Sequence, residues 1–229
     1  MDFDGDGFAE MAVGRLPART EAEAAAMISK IISYDSSPGA EEVLLVSDSN
    51  EGCDFEAESD QLQALVPPNL RVGRIQRGRM DAATARSLLF DGITRGQKIV
   101  NYTGHGSVDQ WRGNLLTSTD AEELANEKHL PMFVMMTCLN GYFHDPALDS
   151  LAEALLKTER GGAVAVWASS GLTMPLEQAL LNQELYRLIF TNGPALTLGD
   201  ATARAKAVVS DGDIRRTWIL FGDPTTRLK

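Results

Sequence analysis

Short apolar runs alternate with amphipathic stretches along most of the 229-residue chain. The apolar runs are typical of buried strands, and the amphipathic stretches repeat their apolar positions with the period of a helix. The strands predicted from this pattern are residues 11–14, 42–48, 70–76, 98–103, 131–137, 162–169 and 216–223. The predicted helices are residues 21–35, 56–66, 81–93, 118–126, 148–159, 175–192 and 197–211.

The order of these elements predicts the fold class. Strand and helix follow one another throughout, and a central strand such as "PMFVMMT" (131–137) is apolar on both faces. Strands that are buried on both faces are typical of parallel sheets covered by helices on each side. We therefore expect an α/β fold with a largely parallel sheet. Helix caps agree with this division, with Asp81 before the third helix and Ser118 or Thr119 before the fourth.

Composition and charge exclude several classes of function. The formal net charge is −11 and the sequence pI is about 4.7, which disfavours binding to a nucleic-acid phosphate backbone. No apolar run reaches the roughly 18 residues of a membrane span. Two cysteines, Cys53 and Cys138, are too few for a disulfide framework, and we expect two separate thiols.

Two chemically versatile side chains follow consecutive predicted strands. His105 lies between Gly104 and Gly106 after the strand 98–103, and Cys138 follows the strand 131–137. The positions differ by 138 − 105 = 33, which is enough for one right-handed crossover between parallel strands. Both side chains would then meet at the carboxyl edge of the sheet, where open α/β sheets bind their ligands.

This pair is suited to nucleophilic catalysis. A thiol becomes a strong nucleophile when a nearby imidazole takes its proton. The oxyanion formed on attack needs N–H donors, and the backbone amides of Gly106 and Cys138 are candidates. Gly106 would let a substrate carbonyl approach closely. The alternative is that Cys138 is a small buried hydrophobe and His105 a structural loop residue, and the spacing alone leaves both open.

Several motifs resemble the gingipain family of cysteine peptidases, which is related to caspases, legumain and separase. They are "AVGRLP", "NYTGHGS", "TCLNGYF", "SLAEALL", "GGAVAVWASS" and "WILFGDPTTRL", in that order. The resemblance implies a caspase-like three-layer α/β sandwich and hydrolysis of protein or peptide substrates through an acyl-thioester. It implies that His105 is the family histidine, that Cys138 is the nucleophile, and that the Gly106 and Cys138 amides form the oxyanion hole.

The resemblance also implies acidic residues around this pair. One acid would orient the histidine, and both Asp48 and Glu51 fit in the loop after the strand 42–48. Asp60 in "AESDQL" would bind a basic P1 side chain, the residue before the scissile bond, with Ser169 and Ser170 as another wall of that pocket. A solvated aspartate on the first turn of a helix is the alternative for Asp60.

The first ten residues have the composition of a calcium loop. Short acids around glycines can wrap a hard cation, and the candidate ligands are Asp2, Asp4, Asp6 and Glu10. An EF-hand would need a glutamate at the twelfth position of the loop, where this chain has Val13. We therefore expect a structural calcium ion outside the EF-hand class, with an acidic surface turn as the alternative.

The domain organisation follows from the resemblance. Residues 1–19 would be the calcium-like loop and the strand that closes an additional N-terminal subdomain, and residues 20–229 would be the caspase-like catalytic domain. We expect the chain to be a piece of a longer protein that is secreted or held at the cell surface. A catalytically inactive calcium-binding module of such a protein is the alternative function, and the processing of a few partner proteins is another.

Overall fold

The computed structural model describes residues 3, 5, 10–190 and 194–229. Within these ranges the helices are α1 (Glu21–Ser36), α2 (Phe55–Gln63), α3 (Ala82–Arg95), α4 (Ser118–Glu122), α5 (Leu151–Lys157), α6 (Pro175–Ile189), α7 (Leu198–Ala205) and α8 (Gly212–Thr217). The strands are β1 (Glu42–Ser47), β2 (Arg71–Gln76), β3 (Ile99–Thr103), β4 (Met132–Met136), β5 (Ala165–Ser169) and β6 (Trp218–Phe221).

The strands form one sheet in the order β2-β1-β3-β4-β5-β6. The strands from β2 to β5 are parallel, and β6 joins β5 in the antiparallel direction. Every residue of β3, β4 and β5 is buried, as expected for strands that helices cover on both faces. The predicted α/β class and the largely parallel sheet are therefore confirmed.

Helices on both faces divide the interior into two cores. Alternate residues of each strand point to opposite faces, so that Leu44 and Val46 join one core while Val43 and Leu45 join the other. Helices α3, α4 and α5 cover the first face, and α2, α6, α7 and α8 cover the second. The result is the three-layer sandwich that the sequence predicts.

Three details differ from the sequence prediction. Instead of a strand at 11–14, a single bridge joins Arg15 to Phe221, because only Arg15 exchanges backbone hydrogen bonds with the β6 edge. The cap of α4 is Thr117, whose hydroxyl oxygen accepts from the Asp120 N–H at 3.2 Å. The predicted helix 197–211 ends earlier, and the separate helix α8 begins after its own cap, Asp211.

The described residues also bear on the predicted thiols and on membrane insertion. Cys53 and Cys138 are both free, which confirms that they are separate thiols. Across residues 10–190 and 194–229, none of the helices combines the length and the hydropathy needed to cross a bilayer.

Candidate active site

The register between β3 and β4 brings His105 and Cys138 to the same edge of the sheet. The two strands pair from Ile99 with Met132 to Thr103 with Met136, an offset of 132 − 99 = 33 residues. His105 and Cys138 have the same offset and lie two residues beyond the last pair. Since neighbouring strands are about 4.8 Å apart, the two residues leave the sheet side by side.

The loop before α6 supports the half-buried Cys138 side chain. The Cys138 thiol donates to the Thr173 carbonyl at 3.5 Å, and the Thr173 N–H donates to the Cys138 sulfur at 3.5 Å. The next residue, Leu139, has a φ of 62°, and its N–H donates to the Gly171 carbonyl at 3.2 Å. Left-handed backbone at a bulky residue is costly and concentrates at functional sites, so the turn after Cys138 is a strained feature of the candidate site.

The backbone of His105 is held at both of its polar groups. Its N–H donates to Asp48 Oδ2 at 3.3 Å. Its carbonyl accepts from the Tyr102 hydroxyl at 2.8 Å and from the Arg112 N–H at 2.9 Å. These bonds fix the loop that carries the imidazole, because moving it would leave buried polar groups unpaired.

The imidazole itself lies against the start of α2. The Phe55 ring meets it edge to face, with 5.3 Å between ring centroids. His105 Nε2 is 3.4 Å from the backbone carbonyl oxygen of Glu51. A carbonyl oxygen in this place can accept a hydrogen bond from a ring nitrogen that carries a proton, and so favour one orientation of the ring.

The structure places neither candidate carboxylate against the imidazole. Asp48 is fully buried and accepts from Arg77 Nη1 at 2.8 Å, and its other oxygen accepts from the backbone of His105. The Glu51 carboxylate is ion-paired with Arg112. The two arginines attract these charges away from the ring. A catalytic role for either acid stays a prediction, and their contacts here are those of positioning residues.

Packing explains why glycines flank His105. A Cβ at Gly104 would lie 2.4 Å from the Asp48 Cβ, and a Cβ at Gly106 would lie 2.7 Å from Thr137 Oγ1. Real Cβ atoms do not approach other atoms so closely. The space beside Gly106 is therefore filled by the protein, whereas the sequence interpretation reserved it for the substrate.

The two amides of the predicted oxyanion hole are open to a ligand. Within the described part of the chain, neither the Gly106 N–H nor the Cys138 N–H donates to an acceptor. Unpaired N–H groups beside a nucleophile are what an oxyanion requires. Their use as an oxyanion hole stays a prediction, with geometry that supports it.

Asn140 ties the cysteine loop to the histidine loop, which the sequence did not reveal. It is fully buried, and its amide nitrogen donates to the carbonyls of Ser107 and Gln110. The backbone carbonyl of Asn140 accepts from the Ala152 N–H at 3.0 Å. A polar residue four positions after the end of β4 and directly before a glycine is the only signal that the sequence carries for this role.

Asn140→Ala is expected to destabilise the fold and to loosen the histidine loop. The substitution removes the side-chain donor of the partly buried Ser107 carbonyl, which costs about 1–3 kcal/mol in the free energy of unfolding. Urea unfolding followed by fluorescence measures this loss. Asn69→Ala is the matched control because Asn69 is exposed. Equal stability of the two variants would contradict the assigned role of Asn140.

Acidic residues on one side of α2 are already paired. Asp60 forms an ion pair with Arg74, and Glu56 forms one with Arg79, so that both acids lie toward β2 and the turn after it. The Asp60 side chain is 59% exposed. A basic P1 side chain would have to compete with Arg74 for this carboxylate. The role of Asp60 in substrate binding stays a prediction that its pairing does not support.

Glu58 lies on a different side of α2, which the sequence interpretation missed. It is three residues after Phe55, which contacts His105, and three residues before Gln61. The Gln61 side chain accepts from Gln183 of α6 at 2.7 Å. Because residues three apart are neighbours on a helix, Glu58 lies between the imidazole contact and the contact with α6.

The Glu58 carboxylate forms no ion pair with any residue that the structure describes. Its Oε2 atom is buried and has no hydrogen-bond partner among the described residues. Burial, together with the nearby negative charge of Asp54, raises the pKa of Glu58 to about 7. A buried, unpaired acid beside a candidate catalytic pair is suited to receive a cation.

The two predicted pocket serines shape the loop after β5. The Ser169 hydroxyl donates to the Gly171 carbonyl at 3.1 Å, and the Ser170 hydroxyl donates to the Thr217 carbonyl at 3.0 Å. Both hydroxyls are thereby engaged with backbone, although the loop they hold leads directly to Thr173 beside the sulfur. Their place in a substrate pocket stays a prediction.

The predicted calcium ligands are only partly described. Asp2, Asp4 and Asp6 lie outside the described residues. The carboxylate of Glu10 accepts from the Phe3 N–H at 2.8 Å. The residues that are described contain no group of three or more His, Cys, Asp or Glu side chains that could hold a metal ion. Calcium binding stays a prediction.

Comparisons with known proteins agree on one family of sequences. Gingipain R2 of Porphyromonas gingivalis is 25% identical over 243 aligned residues, which cover 96% of this chain and 33% of that protein. Lys-gingipain W83 of the same species is 26% identical over 177 residues, covering 73% of this chain and 10% of its own length. The chain therefore spans a third or less of these two relatives.

Solved structures show the same fold. The crystal structure of the Arg-specific cysteine proteinase gingipain R superposes with a TM-score of 0.86 at 21% identity, over 98% of this chain and 57% of that one. A separase in complex with securin from Saccharomyces cerevisiae superposes with a TM-score of 0.58 at 10% identity, over 86% of this chain and 13% of that chain. These matches confirm the caspase-like sandwich.

A family model ties the sequence to the fold. The model described as peptidase family C25 matches residues 1–229. The matched region includes both strand ends that carry the candidate catalytic pair. The chain belongs to peptidase family C25, the gingipain family of cysteine peptidases.

Proposed function

We propose that this chain carries the catalytic machinery of a cysteine endopeptidase in which Cys138 is the nucleophile and His105 the general base and acid. The observation that supports this most strongly is the shared register offset of the two residues with the β3–β4 pairing. It sets a thiol and an imidazole at the carboxyl ends of adjacent strands, where a substrate can reach both.

The reaction follows from these groups. His105 takes the proton of Cys138, and the thiolate attacks the carbonyl carbon of the scissile peptide bond. The amides of Gly106 and Cys138 stabilise the oxyanion. His105 then protonates the leaving amine, so that the C–N bond breaks and an acyl-thioester remains. Water, deprotonated by His105, hydrolyses the thioester and restores the thiol.

A basic P1 residue is the preferred substrate in this proposal. Glu58 supports the preference better than Asp60, because Asp60 is paired with Arg74 whereas the buried Glu58 Oε2 has no partner among the described residues. A guanidinium or ammonium group that reached Glu58 would gain a charge-assisted hydrogen bond in a partly buried place.

Turnover of fluorogenic peptides that end in Arg, Lys, Asn, Asp or Leu tests the proposal. The assay contains reductant and is run with calcium and with chelator, which also tests the predicted calcium dependence. Cleavage after Arg or Lys that disappears in Cys138→Ala but persists in Cys53→Ala would support it. Absence of cleavage in folded, reduced protein would instead favour an inactive module of a larger protein.

The whole protein can contain more than this chain provides. One related structure is described as a complex of the Porphyromonas gingivalis RgpB pro- and mature domains, and this chain covers 59% of the matched chain there. We therefore propose that a further domain accompanies the catalytic part in the complete protein. Turnover by the chain alone, compared with the complete protein, measures how much that domain contributes.

A further inference from the structure

Three large apolar side chains are exposed at alternate positions of the segment that runs from the loop beside Cys138 into α6. Leu172 is 77% exposed, Met174 is 64% exposed and Leu176 is 70% exposed. We call these three residues the apolar rim. Single exposed apolar residues are common, whereas a contiguous group of large ones marks an interaction surface.

The position of the apolar rim links it to the reacting atoms. Leu172 and Met174 flank Thr173, whose carbonyl and N–H both lie 3.5 Å from the Cys138 sulfur. A peptide that places its scissile carbonyl at this sulfur brings its neighbouring residues within reach of the loop that carries the rim. The rim is thus continuous with the candidate active site.

The loop that carries the apolar rim is held in place before any substrate binds. Gln178, which is 2% exposed, donates from its side-chain amide to the Thr173 hydroxyl at 2.7 Å. The Gly171 carbonyl accepts from the Leu139 N–H, and Pro175 begins α6 with its backbone already in helical geometry. A preorganised apolar surface binds with little further loss of conformational entropy.

We infer that the apolar rim binds an apolar side chain of the substrate polypeptide at a position next to the P1 residue or the P1′ residue. The inference rests on the proposed peptidase function. It adds a second specificity element to Glu58, the acid that is proposed to bind a basic P1 side chain. The occupant is the substrate polypeptide in extended form, because Leu172 and Met174 flank Thr173, which contacts the sulfur that the scissile carbonyl must reach. Burying a leucine there is expected to raise kcat/KM about tenfold over serine.

Quenched peptides that exchange Leu for Ser at P3, P2, P1′ or P2′ test this inference. Wild-type protein is expected to prefer Leu about tenfold at one of these positions. Leu172→Ser combined with Met174→Ser should reduce that ratio toward one and leave the P1 preference unchanged. Serine suits position 174, because Met174 precedes α6 without a side-chain cap. Ile32→Ser on α1 is the matched control, since Ile32 is also 64% exposed.

Binding to inactive protein separates the apolar rim from the peptidase chemistry. The same Leu and Ser peptides, labelled with a fluorophore, are titrated into Cys138→Ala with and without the two rim substitutions. Tighter binding of the Leu peptide that the rim substitutions remove would support the rim, even if wild-type turnover failed and the peptidase proposal fell. An equal ratio of Leu to Ser in wild-type and rim-variant protein, in turnover and in binding, would overturn the inference.

Discussion

Cys138→Ala is expected to lower kcat/KM on a cleavable peptide by at least about 10³-fold, because Cys138 is the thiol that leaves the sheet beside His105 and would form the acyl-thioester. His105→Ala is expected to cause a loss of similar order, since the thiol then loses its general base. Steady-state rates on an Arg-P1 peptide, with protein folding checked by thermal unfolding, measure both losses. The double variant should be hardly worse than either single one, because residues that act as a unit are not additive.

The control for this series is Cys53→Ala, which removes the other free thiol and should leave turnover unchanged. Losses that add in the double variant would show that Cys138 and His105 act separately. Turnover that survives Cys138→Ala would contradict the assignment of the nucleophile.

Glu58→Gln is expected to lower kcat/KM for an Arg-P1 peptide by about 10- to 100-fold, the range of a charge-assisted hydrogen bond. The citrulline-P1 peptide has the same shape without the charge, and its kcat/KM should change little. Asp60→Asn is the matched comparison, because Asp60 is the acid that is already paired with Arg74. A larger loss of kcat/KM in Asp60→Asn than in Glu58→Gln would show that Asp60, and not Glu58, binds the P1 side chain.

The ratio of kcat/KM between the Arg and citrulline peptides should also depend on pH. Burial raises the pKa of Glu58 to about 7, so the carboxyl is neutral below that pH and negative above it. The ratio is therefore expected to rise as pH increases through about 7. Any effect of pH on the chemical step changes kcat/KM of both peptides equally and cancels in the ratio. A ratio that stays flat in wild type would contradict the ionisation of Glu58 as its cause.

The sequence was sufficient to predict that His105 and Cys138 follow the carboxyl ends of two adjacent parallel strands. Both follow apolar strands, and their separation of 33 residues equals the offset of β3 against β4. Periodicity and register are local properties of a strand pair, and the crossover rule determines how the two strands are joined. The α/β class and most element bounds follow from the same patterns.

The sequence could not predict which partner each acid selects. Asp48, Glu51 and Asp60 are plausible ligands for an imidazole or a P1 cation, yet each lies closer to an arginine. The arginines come from segments that are distant in sequence, and only the packed fold decides which charges meet. Glu58 was missed for the same reason, because its lack of a partner is a property of the folded interior.

The helix ends show a similar limit of prediction from sequence. The cap of α4 is Thr117, because the side chains of Thr117 and Asp120 each accept a hydrogen bond from the other residue's backbone N–H. Neighbouring residues also carry hydroxyl groups, so the sequence alone does not decide which of them is the cap. Helix α8 was missed because its six residues are too short for a periodic pattern.

Mass spectrometry of protein labelled by an Arg-P1 peptide that carries a thiol-reactive electrophile is the most direct test of the central claim. The account predicts one label per chain, located on Cys138 after digestion. It also predicts that His105→Ala slows labelling and that excess substrate blocks it. Labelling of Cys53 at an equal or higher rate, or turnover that continues after Cys138 is fully labelled, would contradict the account.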